Sequence, residues 1–252
     1  MPTMGALHAG HLELVKISGA QSDIVVCSIF VNPTQFNDPD DFKKYPKTIK
    51  KDIQKLKKLN CDILFLPEVH EMYPGTEEWH LDLGELDTIL EAKSRKGHYQ
   101  GVTQVVNKLF DTVKPDQAYF GQKDFQQFLV ISRMVRMMHK PVKLIMCPII
   151  RDEDGLALSS RNVHLSDGER QQALALSRAL ISTKENFKKK TINELKADAI
   201  TFLNTKGIRP DYFEICYAEN LKPVMRKRSA NIIALVAAYV GKTRLIDNMI
   251  VT

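Results

Sequence analysis

Near its amino end the chain reads Pro2-Thr3-Met4-Gly5-Ala6-Leu7-His8-Ala9-Gly10-His11, which sets two imidazoles three residues apart with glycines close by. Two such rings can donate hydrogen bonds to phosphate oxygens. Glycines at 5 and 10 let the backbone approach a ligand closely, and the helical pattern that follows through Leu12 and Val15 offers unpaired N–H groups at its start. A satisfied structural His pair and a two-His metal site, the latter without an evident third ligand, fit the same residues. A second polar group, Lys123-Asp124, follows the apolar run Ala118 to Phe120 and opens a helix; it suits either a phosphate-neutralising ammonium or an ion pair at a cap. The third is Ser159-Ser160-Arg161-Asn162, preceded by Asp154-Gly155. Two hydroxyls and a guanidinium in a row suit a phosphate-holding loop, or a polar turn between domains.

These groups need elements to present them. Short, nearly continuous apolar runs at Ile24 to Val31, Ile63 to Leu66, Ala118 to Phe120 and Val142 to Ile150 suit strands buried on both faces, as in a parallel sheet. Between them lie helical patterns: Ile49, Ile53 and Leu56, then Val102 through Val113, then Phe125 to Met138. The alternation predicts an α/β fold, a doubly wound, Rossmann-like parallel sheet, over residues 1–150. Ligands of such sheets bind beyond the carboxyl ends of the strands, where the polar groups fall. A second, smaller α+β domain is expected over 151–252. Ser166-x-x-Glu169 and Thr191-x-x-Glu194 both fit capping boxes ahead of apolar helical stripes, and strand-like runs follow at Tyr212 to Tyr217, Ile232 to Val240 and Arg244 to Val251.

At 252 residues, with 44% hydrophobic and 26% charged side chains, the composition is that of an ordinary soluble globular protein and excludes collagen-like, disordered and membrane-spanning classes. The 36 Lys and Arg against 30 Asp and Glu leave a net charge of +6, which suits anionic partners such as phosphorylated small molecules or nucleic acid. The basic runs lack interleaved aromatic residues, which argues against RNA, and Lys43 to Lys58 reads as a solvated helix face. Cys27, Cys61, Cys147 and Cys216 stand apart in apolar runs and read as small buried hydrophobes in a reducing compartment. No basic-then-apolar leader opens the chain and no apolar run approaches ~20 residues, so the expected location is cytoplasmic, with no membrane and no nucleic-acid partner.

Taken together, Pro2 to His11, Phe30-Val31-Asn32-Pro33-Thr34-Gln35-Phe36, Arg95 to Val102, Phe120 to Gln127, Asp154 to Asn162 and Arg244 to Asn248 closely resemble the pantothenate synthetase (pantoate–β-alanine ligase) family, of the His-x-Gly-His nucleotidylyltransferase superfamily. The blocks run almost end to end. The resemblance implies ATP-dependent condensation of pantoate with β-alanine through a pantoyl-adenylate, with Mg²⁺, by a homodimer. It also implies that His8, His11 and Lys123 stabilise the triphosphate, that Ser159, Ser160 and Arg161 hold its β- and γ-phosphates, and that Gly121 and Asp124 face the nucleotide. Gln35 and Gln127 resemble pantoate-binding glutamines, Met4, Asn32 and Tyr45 would line the same pocket, and Asp52 is a candidate water-mediated Mg²⁺ ligand. His98 lies inside a matching block without an assigned role.

Two departures stand out. Leu158 replaces a common Met, a tolerable apolar swap. The family carries a strand and helix ahead of Pro-Thr-Met-Gly, so the strand presenting the histidines is expected to be absent or shortened. Alternatives are a nucleotidylyltransferase acting on a phosphorylated acceptor, an RNA-binding fragment and an inactive truncated copy.

Overall fold

The computed structural model describes residues 1–37, 42–43, 45–227 and 231–252. The chain divides into two compact units, Met1–Pro148 and Ile149–Thr252. The first is the α/β unit. Strands β1 (Pro2–Thr3), β2 (Val26–Ile29) and β3 (Ile63–Phe65) form one parallel sheet in that order, with Thr3 opposite Ile29 and Cys27 opposite Leu64. Strands β4 (Gln117–Gly121) and β5 (Lys143–Cys147) form a second parallel pair, Gly121 opposite Cys147. The strand ahead of the histidines is thus a two-residue ladder, extended by the Met1 ammonium, which donates to the Val26 carbonyl at 2.7 Å.

Around these strands lie α1 (Ala9–Gly19), α2 (Ile49–Lys58), two single turns α3 (Val69–Met72) and α4 (Glu91–Ser94), then α5 (His98–Val113) and α6 (Phe125–Met137). The apolar stripes named above bury as their spacing requires: Val102, Val106, Ile131 and Met134 pack with Phe30 and Phe120 in one core, and Val15 and Leu56 with Cys27 and Ile29 in another. At the amino ends of β2 and β4 a hollow of about 610 Å³ opens among Ile24, Val25, Leu109 and Tyr119; no residue named for chemistry lines it.

Residues 67–97 carry no periodic pattern, yet Leu83 and Ala92 are core residues. Side chains from two helices hold this stretch. Gln100 takes the Leu81 N–H at 2.9 Å and returns its own N–H to the Leu81 carbonyl at 3.0 Å, acting as a one-residue strand partner. Gln126 donates to the carbonyls of Leu86 and Ile89, each at 2.9 Å, and accepts from Glu91 N–H at 3.1 Å. The backbone of an irregular segment is satisfied this way without a sheet.

The second unit packs α7 (Asp167–Asn186) and α8 (Ile192–Thr205) with an antiparallel sheet of β6 (Arg209–Tyr217), β7 (Ile232–Val240) and β8 (Thr243–Ile250), β7 in the centre. Leu174, Leu180 and Leu203 of the helices share a core with Phe213, Ile215 and Val236 of the sheet. Both capping boxes form: Ser166 Oγ accepts the Glu169 N–H at 3.3 Å while Glu169 accepts the Ser166 N–H at 2.9 Å, and Thr191 and Glu194 do the same. All four cysteines are free thiols; Cys27, Cys147 and Cys216 are buried, and burial pushes Cys27 and Cys216 up to about 12. Among the described residues no helix is long and apolar enough to cross a membrane.

Because Ser166 serves only the start of α7, Ser166→Ala should lower the unfolding free energy by about 1 kcal/mol in urea titrations. Catalytic rates should be unchanged.

Candidate active site

At the carboxyl end of β1 the chain enters a turn in which Gly5 and Ala6 take positive φ, 82° and 50°. For alanine this left-handed conformation costs about 1–2 kcal/mol, so something must hold it. The holder is Asp52 on α2, which has no solvent exposure. Its Oδ2 accepts the Ala6 N–H at 3.0 Å and its Oδ1 the Leu7 N–H at 2.9 Å, while the Thr48 hydroxyl donates to Oδ2 at 3.0 Å. One turn along the same helix, Lys55 Nζ donates to the Leu7 carbonyl.

The turn delivers His8 to the N-cap of α1 and His11 to its first turn, with ring centroids 4.0 Å apart and tilted by 38°. His11 Nδ1 lies 3.4 Å from the His8 backbone N–H and faces it as acceptor, which leaves the His11 ring proton on Nε2. His8 Nδ1 is buried and has no hydrogen-bond partner among the described residues. Desolvation, followed by the charge effects of His11 and Lys123, pulls His8 down to about 3. Desolvation likewise brings His11 to about 4, against an opposing pull from Asp124. Both rings are therefore neutral hydrogen-bonding groups at pH 7. The positive charge belongs to Lys123 and Lys55, both close enough to disfavour protonating the rings, while Lys123 also lies 3.7 Å from Asp124.

A second group gathers after β2. Asn32 is almost fully buried and spends its amide on structure: Nδ2 donates to the Gly101 carbonyl at 3.1 Å and to Gln35 Oε1 at 3.3 Å, and Oδ1 accepts the Tyr73 hydroxyl at 2.7 Å. Gln35 Nε2 reaches the Met4 sulfur at 2.7 Å. Met4, Asn32 and Gln35 thus form one network. His98, at the start of α5, joins it through Nδ1, 2.8 Å from the Gln35 carbonyl. At Gly101 a Cβ would lie 2.8 Å from Gln35 N and closer still to the Thr34 carbonyl, so the helix backbone sits directly against this turn. Tyr45 packs edge-on to Phe36, with centroids 5.8 Å apart. Gly121 ends β4, and Gln127 is half-buried in the first turn of α6.

Ser159, Ser160 and Arg161 lie in the second unit. Ser159 Oγ caps a short 3-10 turn by accepting the Arg161 N–H at 3.2 Å; Ser160 is half-buried and Arg161 exposed. The hairpin ahead of them is pinned by Arg151, whose guanidinium forks onto buried Asp247 of β8 at 2.7 and 2.9 Å and also donates to the Gly155 carbonyl at 3.1 Å. Losing one partner of such a buried pair costs about 3–5 kcal/mol.

Asp52 does not fit the role of a magnesium ligand. Both of its oxygens are engaged by Ala6, Leu7 and Thr48, and none of its surface meets solvent. Among the described residues no three His, Cys, Asp or Glu side chains come together to hold a metal. The sequence reading overlooked Tyr73, Arg151 and Asp247 as supports, and left His98 unassigned. His98, Gly101 and Asp247 all lie in the blocks that carry the resemblance, which was the available signal; Tyr73 had none.

An α/β unit with a His-x-Gly-His turn at a helix start and an ammonium nearby defines a class of protein built to handle phosphate anions. The match to known proteins is more specific. The pantoate-beta-alanine ligase family model covers residues 1–250. The pantothenate synthetase of Fervidobacterium nodosum is 47% identical over 253 residues, covering 100% of this chain and 90% of the relative, and that of Bacteroides thetaiotaomicron is 44% identical, covering 99% and 89%. The crystal structure of pantothenate synthetase from Thermus thermophilus superposes with a TM-score of 0.94 at 42% identity, over 99% of this chain and 91% of that one. The Francisella tularensis ligase, complexed with beta-gamma ATP and beta-alanine, gives 0.80 at 37% identity, over 99% and 87%. The chain belongs to the pantoate–β-alanine ligase family.

The depressed histidines set a pH dependence. Unfolded imidazoles bind protons below about 6.5, whereas the folded rings stay neutral down to about 4 and about 3, so between these values the unfolded state holds more protons. Stability should therefore fall as pH drops from 7 towards 4. In a series of urea titrations His11→Asn should show a shallower slope across that window; an unaltered slope would contradict the neutral pair.

Proposed function

We infer that the protein joins pantoate to β-alanine at the expense of ATP. The pantoate carboxylate attacks the α-phosphorus, forming the acyl-phosphate bond of pantoyl-adenylate and releasing pyrophosphate. The amine of β-alanine then attacks the acyl carbon, and AMP departs with its electron pair as the amide forms and the amine proton is lost. The reading is carried by the grouping of His8, His11 and Lys123: two half-buried, neutral imidazoles at the start of α1 with an ammonium in electrostatic reach.

The first step needs such a site. Two unit charges ~4 Å apart repel by about 4 kcal/mol at an effective dielectric of 20, roughly a thousandfold in rate, so a carboxylate meets a phosphate only where that repulsion is offset. Lys123 supplies charge. His11, with its proton on Nε2, and His8 donate hydrogen bonds to the phosphate oxygens as charge builds in the transition state. Gln35 and Gln127 bind pantoate, since amides satisfy both hydroxyl and carboxylate groups. Met4 and Tyr45 line that pocket, with Asn32 keeping Gln35 in place, and Gly121 and Asp124 face the nucleotide. Ser159, Ser160 and Arg161 hold the β- and γ-phosphates. Mg²⁺ carried with the ATP substrate completes the neutralisation. Attack by the amine needs little beyond positioning, because adenylate is a good leaving group. Family membership supports a cytoplasmic homodimer.

With β-alanine omitted, the protein should exchange labelled pyrophosphate into ATP only when pantoate is present. Exchange that ignores pantoate, or that requires a phosphorylated acceptor instead, would sink the reading. Lys123→Ala should depress this exchange by about a thousandfold, the size of the repulsion it offsets, and leave the unfolding transition where it was.

A further inference from the structure

Asp52 has no part in the chemistry just described, yet it is the most enclosed carboxylate among the described residues and it grips the turn that leads directly into His8. We propose that Asp52 is a positioning residue for the adenylation half-reaction, fixing through the Ala6 and Leu7 N–H groups the backbone that aims His8 and His11, with Lys55 closing the same grip on the Leu7 carbonyl. This assignment rests on the roles given above to the two histidines.

Successive left-handed residues turn neighbouring N–H groups towards one point, a concavity that attracts an anion. Here the anion is the protein's own carboxylate. Separate oxygens hold adjacent N–H groups at 3.0 and 2.9 Å, which fixes the direction of the peptide as well as its distance. The far side is equally closed: a Cβ on Gly5 would come 3.0 Å from Ile29 Cγ2 and 3.4 Å from Asp52 Oδ2. Leu7 is buried, and the next residue is His8. The carboxylate is fixed in turn by the Thr48 hydroxyl at the N-cap of its helix. No slack remains between α2 and the imidazoles, so release of the grip is expressed as a displacement of the rings.

Asp52→Asn separates positioning from mere stability. An amide has nearly the same shape but one acceptor oxygen, so in either orientation its NH₂ faces an N–H donor and one side of the grip becomes repulsive. A misplacement of about 1 Å costs roughly a hundredfold in a positioned reaction. In the folded variant, pantoate-dependent pyrophosphate exchange at saturating substrates should fall by about that factor, with the KM for pantoate unchanged. Conversion of supplied pantoyl-adenylate and β-alanine to product, which does not use the triphosphate contacts, should proceed at the rate of the unsubstituted protein. An equal fall in both half-reactions would show a structural role only and overturn the proposal, as would unimpaired exchange. Should Asp52→Asn fail to fold, Thr48→Val, which removes one donor to the carboxylate, carries the same comparison: selective loss of exchange supports the proposal, and equal loss or none overturns it. Absence of pantoate-dependent exchange in the unsubstituted protein would overturn the functional reading itself and this assignment with it, whereas normal exchange there and in Asp52→Asn overturns the role of Asp52 alone.

Discussion

Holding two imidazoles uncharged beside an ammonium is the constraint on which the arrangement of the first unit depends. A solvated His pair would titrate near pH 6.5; here desolvation, reinforced for His8 by the neighbouring ring and Lys123, holds both uncharged. That divides labour within a small volume. The rings supply directional N–H groups whose ionisation state does not change around neutrality, and Lys123 supplies charge that can be felt by any anion placed beside them. A site with two imidazolium rings and an ammonium would carry its own repulsion before any ligand arrived.

The means of holding this arrangement recur elsewhere in the chain. Between the regular elements lie stretches of irregular backbone, and in each case a polar side chain from a helix or strand ties the stretch down. Asp52 secures the turn before His8, His98 the carbonyl of Gln35, Gln100 and Gln126 the stretch from 81 to 91, and Asp247, through Arg151, the hairpin before Ser159. Each anchor is charged or an aromatic or amide donor-acceptor, and each is wholly or largely screened from solvent, where a satisfied hydrogen bond is strongest and an unsatisfied one costliest.

Much of the fold is legible in the residues because its signals are local. The two capping boxes fix where α7 and α8 begin, and the unbroken apolar run from Ile232 to Val240 marks a strand buried on both faces. The periodic stripe from Val102 to Val113 gives α5. Residues 67–97 are opaque for the opposite reason: their order comes from glutamines far along the chain, and nothing in the stretch itself repeats. Asp52 shows a subtler gap. On a helix crowded with lysines a carboxylate looks solvent-facing, but it lies four residues before Leu56, on the stripe that faces the core. That spacing was readable. What it could not supply is the partner, since Ala6 and Leu7 lie more than forty residues away. The same holds for His98, whose motif is visible and whose target carbonyl is sixty-three residues distant.

The close approach of α5 to the Thr34–Gln35 turn, with only a hydrogen atom of Gly101 between them, limits how the network around that turn can diverge. Even a methyl group there would drive backbone against backbone, with no flexible side chain to absorb the shift. Changes in the shape of the Met4, Asn32 and Gln35 network must therefore come from its side chains, because the helix backbone behind it has no room to shift. The helix is in that sense a fixed wall, and the side chains set against it are the fittings that can be exchanged.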